Sequence, residues 1–430
     1  MAGFVELLRH NANYRNTWFG QVVSEAGDHF NNIAVFSLVM EKTNSGMAVS
    51  GVLLARGVAV LAAGPIAGVV LDRLDRRQLM IASDLFRMIV AIGFSFCLVF
   101  PKLWLLYLLS FLLMFASPFF TSGRASILPR IASRDELHTA NSLTQTTQWT
   151  TLAVGTMLGG TSVVALGYEW AFLFNALSFG FSALCISKLE LPEGFAPLTE
   201  SLTEQRVVRP WHDYLEGLRY IRSVPLIMGL ALLNADWASG GGAAQVLFTL
   251  FGEKVFNRGA AGIGMVWGIA ACGLIVGGAF AHWYAKRIRY QGYLWTVAVC
   301  YFLHGLTYVM FSQMKQFWAA LFFIAASRAA VGISAVLNMG QLLRHTDDGF
   351  RGRVFSTMES MTWAVMMLSM TAAGLASDYY SPRTIALWSG MLSGSSAFFW
   401  AWAVWRGKIP EPPETGVDPD DVEVHGDPNV

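Results

Sequence analysis

The feature that most constrains this chain is a series of long, almost uncharged apolar runs separated by shorter polar segments. Each run is close to the length that an α-helix needs to cross the hydrocarbon core of a bilayer, about 20 residues. Only α-helices and closed β-barrels satisfy their backbone polar groups inside a membrane, and barrel strands read as short alternating segments. The runs are long and continuous, so the sequence predicts an all-α polytopic membrane protein.

We predict twelve transmembrane helices, in two sets of six around one long polar segment. The composition agrees, because 54% of the residues are hydrophobic and 14% are charged, whereas about a quarter of a soluble chain is charged. The predicted spans are 16–40, 46–71, 79–100, 103–123, 138–166, 169–189, 225–250, 259–285, 291–312, 316–338, 353–377 and 383–406. The expected divisions are an N-terminal six-helix bundle at 1–189, a cytoplasmic central loop at 190–224, a C-terminal six-helix bundle at 225–406 and a disordered acidic cytoplasmic tail at 407–430.

The distribution of basic residues predicts the orientation of the spans. Cytoplasmic loops of membrane proteins carry an excess of lysine and arginine. With the N-terminus inside, 21 of the 30 basic residues fall in inner segments and 6 in outer loops. We therefore expect a multi-pass protein of the inner (plasma) membrane, with both termini in the cytoplasm.

The central loop contains a short amphipathic segment at 211–222. Trp211, Leu215 and Leu218 recur at helical spacing, with charged residues between them. Such a helix either lies along the inner membrane surface or packs on the bundle as an ordinary linker helix.

Several classes of function are disfavoured by the sequence. The four cysteines lie inside apolar runs without a CxxC pair or metal-ligand spacing, so we expect no disulfide framework, metal or cofactor. The net charge of +1 is uninformative about nucleic acid, and no basic run with interleaved aromatics suggests such a partner, so we expect none. No Walker loop, HExxH or GxSxG pattern is present, which disfavours an ATP-driven pump or a membrane hydrolase. We expect a protein that is not an enzyme.

The strongest local motif follows the second span, from Gly68 to Arg77. The glycine permits close helix approach, and Asp72 is a carboxylate at a helix end, where arginines can hold it. Salt bridges in such a loop can latch the cytoplasmic side shut and break when the two halves of the molecule rock. The residues predicted for this cytoplasmic gate are Gly68, Asp72, Arg73, Arg76, Arg77 and, from the end of the fourth span, Arg124.

This motif resembles the loop signature of the major facilitator superfamily, in outline Gly-x-x-x-Asp-Arg-x-Gly-x-Arg, with Asp75 where the signature has its second glycine. Further segments occur in a matching order: Asn13-Tyr-Arg15, Trp18-Phe-Gly20-Gln21, Gly27-Asp28, Asp84-Leu-Phe-Arg87, Ala125-Ser-Ile-Leu-Pro129, Asn141-Ser-Leu and Arg351-Gly-Arg353-Val-Phe. Together, over about 5–405, they resemble the macrolide-efflux and enterobactin-exporter branch of drug:proton antiporters. The resemblance implies the major facilitator fold, alternating access, and a central cavity lined by the first, fourth, seventh and tenth helices.

Ionisable residues inside the predicted spans are the candidates for function, because charge is costly in a membrane. Asp28 in the first span and Asp236 in the seventh lie at matching depths in the two halves, where they could hold a proton or the cation of a substrate. Arg328 is a possible partner for either, and Arg56 for Asp28. Permanent pairing that only fixes helix packing is the alternative. The predicted substrate and proton site comprises Glu25, Asp28, Asn32, Arg56, Asn234, Asp236, Trp237 and Arg328.

Four other polar residues inside the spans are interpreted as structural. Asp84 and Arg87 lie one helical turn apart and are expected to pair with each other or with the loop arginines. His304 is interpreted as a packing histidine with satisfied ring nitrogens. Glu359 is placed near the cytoplasmic end of its span and assigned to packing.

The sequence thus predicts a secondary active transporter, monomeric and in contact with membrane lipids. It would export a drug-like or siderophore-like amphiphilic small molecule, with protons as the expected coupling ion. The alternatives are a lipid or lysolipid flippase on the same fold and a non-transporting membrane receptor or scaffold.

Overall fold

The computed structural model describes residues 4–190 and 210–413. Within these residues the chain forms fourteen α-helices and one π-helical turn, without a β-strand. Twelve of the α-helices are between 20 and 33 residues long. Each corresponds to one predicted span. The helices of the fourth, fifth, tenth and eleventh predicted spans extend several residues beyond the predicted cytoplasmic ends.

The helices of the first half are α1 (Phe4–His10), α2 (Ala12–Thr43), α3 (Gly46–Arg73), α4 (Arg76–Val99), α5 (Leu103–Ile131), α6 (Arg134–Leu166) and α7 (Tyr168–Ser187). The second half contains α8 (Pro210–Ser223), α9 (Pro225–Leu250), a π-helical turn (Phe251–Val255), α10 (Gly259–Ala285), α11 (Tyr290–Gln313), α12 (Phe317–Arg344), α13 (Asp348–Ala376) and α14 (Pro382–Trp405).

Eight of the long helices in the described chain are apolar enough to cross a membrane by length and composition alone. The other four are α2, α9, α13 and α14. Of these, α2, α9 and α13 carry ionisable residues inside their predicted spans. Polar residues in membrane helices face the protein interior or a cavity, so these helices are where a site is expected.

The described residues form two compact units. The first contains 4–190, Val246–Ala271 and Ala373–Tyr379, and the second contains 210–245, Cys272–Ala372 and 380–413.

In the first unit, α2 packs closely on α7. The contact requires a glycine at position 27, because a Cβ there would lie 2.8 Å from Oδ1 of Asn175. Asn175 is fully buried, so α7 presents a polar side chain to α2. Small residues allow membrane helices to approach in this way.

Several helix starts in this unit are fixed by side-chain caps. Asp75 ends the loop after α3 and accepts a hydrogen bond from the backbone N–H of Gln78, at 2.9 Å, which begins α4. Asp75 therefore stands at the glycine position of the loop signature as an N-cap, a role for which aspartate is among the preferred residues. Ser133 and Glu136 form a capping box at the start of α6.

In the second unit, α8 packs on the bundle through α13. Arg353 binds Asp213 at 3.1 Å and Glu216 at 2.9 Å, and the ring of Tyr220 stacks on Phe350 at 4.9 Å. These contacts join the amphipathic helix to α13 and are compatible with both alternatives for this segment, a linker helix packed on the bundle and a helix along the inner membrane surface.

The start of the predicted tail is also packed. Ile409 is 7% exposed, Pro410 accepts a hydrogen bond from Tyr290 at 3.1 Å, and the carbonyl of Pro413 lies 3.3 Å from His345. Ile409 and the carbonyl groups of Pro410 and Pro413 therefore have partners in the described chain, within the segment that the sequence predicts to be disordered from residue 407. Residues 414–430 lie outside the described part of the chain.

Candidate functional site

The first unit contains a cavity of about 330 Å³ lined by two carboxylates, which we call the carboxylate cavity. Glu25, Asp28, His29 and Asn32 of α2 form one wall, because residues three and four apart share a helix face. Met114 of α5 and Gln148, Trp149 and Leu152 of α6 form the rest. Three predicted residues, Glu25, Asp28 and Asn32, are thus brought together.

Glu25 is held by groups from three helices. Its Oε1 accepts a hydrogen bond from Gln21 at 2.9 Å, and its Oε2 accepts one from Thr151 at 2.9 Å. Arg124 of α5 places Nη1 3.7 Å from Oε1. The structure therefore places Arg124 beside Glu25, although the sequence assigned it to the cytoplasmic gate.

Asp28 lies in the same wall, but its carboxylate is not held by hydrogen bonds to both oxygens as that of Glu25 is. Its Oδ1 atom is buried and accepts no hydrogen bond from any described residue. Arg56 donates instead to Oδ1 of Asn32 at 2.7 Å and lies over the ring of Phe36. Arg56 and Asp28 therefore do not form the direct pair that was expected. The guanidinium of Arg56 donates instead to the side-chain amide oxygen of Asn32, one helical turn from Asp28.

A buried ion pair lies behind this wall. Asp84 and Arg87 of α4 bind each other as the sequence predicted, and they are 0% and 3% exposed. The guanidinium of Arg87 sits between the rings of Phe120 and Phe179, 4.9 and 4.4 Å from their centroids. Both charged groups interact electrostatically with Asp28. This stacking fixes a positive charge near Asp28.

The second unit contains a cavity of about 380 Å³, which we call the aromatic cavity. Its aromatic side chains are Trp237 of α9, Tyr301 of α11, and Phe355 and Trp363 of α13. Asn234 and Trp237, both predicted site residues, line it.

Asp236 does not line either of these cavities. It lies on a different face of α9 from Asn234 and Trp237, because one residue turns an α-helix by about 100°. Its carboxylate lies beside Ser395 and Ser396 of α14. Asp28 and Asp236 lie at similar depths along their helices, but depth does not determine which helix face a side chain is on. Asp28 lines a cavity and Asp236 does not line either of these two, so the expected equivalence of the two carboxylates is not found.

Arg328 also lies away from the aromatic cavity. It is 7% exposed on α12 and interacts electrostatically with His304 and Tyr308. Both ring nitrogens of His304 have partners, Ser327 at 2.8 Å and Ser393 at 3.3 Å, as expected for a packing histidine.

The contacts of the loop motif differ from those expected for the cytoplasmic gate. A Cβ added at Gly68 would meet nothing within 4 Å, so the expected close helix approach at this glycine is wrong in this structure. Arg76 donates to the carbonyl of Ser126 at 3.5 Å, and Arg77 to that of Ile186 at 3.3 Å. These arginines bind the carbonyl ends of α5 and α7, where positive charge is favourable.

No contact is described for two other residues of the predicted gate, Asp72 and Arg73. Arg73 is exposed at the end of α3. The side chain of Asp72 lies outside what the structure describes, so its place in the gate stays a prediction.

Among the lining residues that sequence reasoning missed are one histidine and one carboxylate. His29 has a buried Nδ1 without a partner among the described residues, and its spacing of four from Glu25 could have indicated it. Glu359 lines the aromatic cavity, although it was assigned to packing. The structure begins α13 at Asp348, so Glu359 lies about 16 Å along the helix and not near its end.

Comparison with known proteins identifies the family of this chain. The sequence model of the Major Facilitator Superfamily matches residues 17–346. The chain belongs to this superfamily. The all-α fold with twelve membrane helices is therefore confirmed, and the protein is a multi-pass membrane transporter, not an enzyme.

Relatives within the superfamily include efflux proteins. The multidrug efflux pump Tap of Mycolicibacterium fortuitum is 27% identical over 368 residues, covering 84% of this chain and 88% of Tap. Macrolide efflux protein A of Streptococcus pyogenes is 20% identical, with 85% and 88% covered. The resemblance to the macrolide-efflux branch is confirmed. A solved POT family transporter has the same fold, with a TM-score of 0.72 at 11% identity, covering 92% of this chain and 96% of that protein.

Proposed function

We propose that this superfamily member exports amphiphilic small molecules, of drug-like or siderophore-like size, across the inner membrane in exchange for protons. Two relatives that cover most of its length are named as efflux proteins, which supports export as the direction. The proposal keeps both termini in the cytoplasm, as the distribution of basic residues predicts. It requires no metal or cofactor and treats the chain as a monomer.

The observation that carries the proton coupling is the state of Asp28. Its Oδ1 is buried at a cavity wall and has no donor among the described residues. An ionised carboxylate in such a place costs free energy, and binding a proton removes that cost. Asp28 can therefore gain and lose a proton as access of the cavity to water changes.

Glu25 supports the same cycle from the adjacent turn. Its charge is balanced by Arg124 at 3.7 Å, and hydrogen bonds from Gln21 and Thr151 hold its two oxygens. Protonation of Glu25 would weaken the attraction of Arg124 and let α5 move relative to α2. Coupling then comes from two carboxylates in one cavity, and Asp236 is not needed for it.

The test is uptake of a fluorescent lipophilic cation into inverted membrane vesicles energised by respiration. Wild-type protein is expected to accumulate the dye, and a protonophore to abolish the accumulation. Asp28→Asn is expected to lose at least nine-tenths of the protonophore-sensitive part. Ser24→Ala, which removes a buried hydroxyl from the same helix, serves as the matched control. Equal accumulation by Asp28→Asn and wild type would refute the assignment.

A further inference from the structure

The lining of the aromatic cavity has a single formal charge. Among its described lining residues Glu359 is the one side chain that carries charge. Glu359 is exposed to the cavity and makes no hydrogen bond or ion pair with any other described residue. Because no other described side chain balances its charge, the carboxylate of Glu359 can attract a cation that enters the cavity.

The same wall offers hydrogen-bond donors that lack acceptors. Nε1 of Trp237 is buried and has no partner among the described residues. Oδ1 of Asn338 accepts a hydrogen bond from Tyr293 at 3.0 Å, so its amide NH₂ is the group that it can offer to a ligand. A ligand that fits these groups carries hydrogen-bond acceptors as well as a positive charge.

The rest of the lining is suited to an apolar body. The faces of Trp237, Trp363 and Phe355 can stack on flat groups and attract cations. Met339 and Met358 are flexible and polarisable, which suits ligands of varied shape. The volume of about 380 Å³ falls in the range of pockets that hold drug-sized molecules, about 300–1,000 Å³.

We propose that the aromatic cavity is the substrate site and that it takes an amphiphilic organic monocation, with Glu359 as the counter-charge and Trp237 as a donor to an acceptor on the substrate. This inference rests on the exporter function proposed above and gives that function a substrate class. It also separates the two tasks of the protein, with protons at the carboxylate cavity of the first unit and the substrate at Glu359 in the second. Asp236 has no part in it, because that carboxylate lies beside α14.

The test compares two probes of nearly the same shape and opposite charge, tetraphenylphosphonium and tetraphenylborate. Binding is measured by equilibrium dialysis on the purified full-length protein in neutral detergent. Wild-type protein is expected to bind the cation at least tenfold more tightly than the anion. Glu359→Gln is expected to lose at least tenfold in affinity for the cation, and Glu359→Asp to keep most of it. Glu411→Gln, which removes an exposed carboxylate of the same unit outside the cavity, should not change it.

A second variant tests the donor. Trp237→Phe keeps an aromatic ring but removes the N–H. Tetraphenylphosphonium has no acceptor, so its affinity is expected to stay within about twofold. Rhodamine 6G, a cation with an ester acceptor, is expected to bind severalfold more weakly to Trp237→Phe. Equal losses for both probes would overturn the donor role of Trp237.

The outcomes separate this inference from the proposed function. Cation affinity that is unchanged in a folded Glu359→Gln protein would overturn the inference, even if protonophore-sensitive accumulation persists. Glu359-dependent binding without any protonophore-sensitive accumulation would support the site and overturn the proton-coupled cycle. A variant that elutes as an aggregate is replaced by Glu359→Ser in the same comparison, with the same expected loss.

Discussion

Glu25 and Arg124 connect α2, α5 and α6 around the carboxylate cavity. Glu25 has hydrogen bonds to both oxygens and a cation within 3.7 Å, whereas Asp28 on the next turn has a buried oxygen without a donor. The two carboxylates are three residues apart but have different surroundings. Such differences give two neighbouring carboxylates different tendencies to bind a proton.

Arg124→Gln is expected to lower transport at least tenfold, because it leaves the carboxylate of Glu25 in the cavity wall without its cation. Glu25→Gln should lower transport to a similar extent, because it removes the other member of the pair. If the two residues act together, the double variant should be no worse than either single variant. Uptake into inverted vesicles measures all three. If the loss of transport in the double variant equals the product of the losses in the two single variants, a joint role of Glu25 and Arg124 is contradicted.

At the scale of helices, some elements begin at side-chain caps outside the apolar spans, and α6 is one of them. Glu136 in the first turn of α6 accepts a hydrogen bond from the backbone N–H of Ser133 at 2.9 Å. It also accepts one from Asn11 at 3.3 Å. The N–H of Ser133 and the other donors lower the pKa of Glu136 below its ordinary value of 4.5. The capping box therefore connects the start of α6 to the start of α2.

Glu136→Ala is expected to lower the melting temperature of the purified protein by roughly 1–2 °C at pH 7, because it removes this cap. A carboxyl group with a lowered pKa in the folded state stabilises the fold above its unfolded pKa. That contribution is lost as the pH falls through the folded value. The difference between variant and wild type should therefore shrink below pH 4.5. Thermal denaturation at pH 7 and pH 3.5 measures it.

The control is Glu169→Ala, which removes an exposed carboxylate from the first turn of α7, where no side-chain cap bond is formed. It is expected to change the melting temperature less at pH 7. A destabilisation by Glu136→Ala that is independent of pH would show that the cap acts through packing and not through its charge.

The helices were easier to predict from the sequence than the sites. Each long apolar run became a helix, because a membrane leaves the backbone few other choices. The positions of Glu359 and Asp236 relative to the cavities could not be predicted in this way. Whether a side chain faces a cavity depends on where the helix begins and on how it is rotated, and apolar runs show neither. Asp28 was found because its neighbours at three- and four-residue spacing are also polar, which marks a helix face.

At the scale of the whole molecule, we propose that protons bind in the first unit and substrate in the second. An antiporter works only if substrate and proton oppose each other's binding, and this opposition is a reciprocal coupling free energy. The coupling need not involve direct contact between the two ligands. If the coupling exists, however, binding of substrate must release protons from the protein.

The most direct test of proton-coupled export is therefore proton release by the purified protein in weakly buffered detergent solution. Tetraphenylphosphonium is added and the pH change is recorded with a fluorescent indicator. Wild-type protein is expected to release protons in proportion to the cation bound, and Asp28→Asn is expected to bind the cation but to release at least fivefold fewer protons. Binding without proton release by the wild type, or equal release by Asp28→Asn, would contradict proton-coupled export through Asp28.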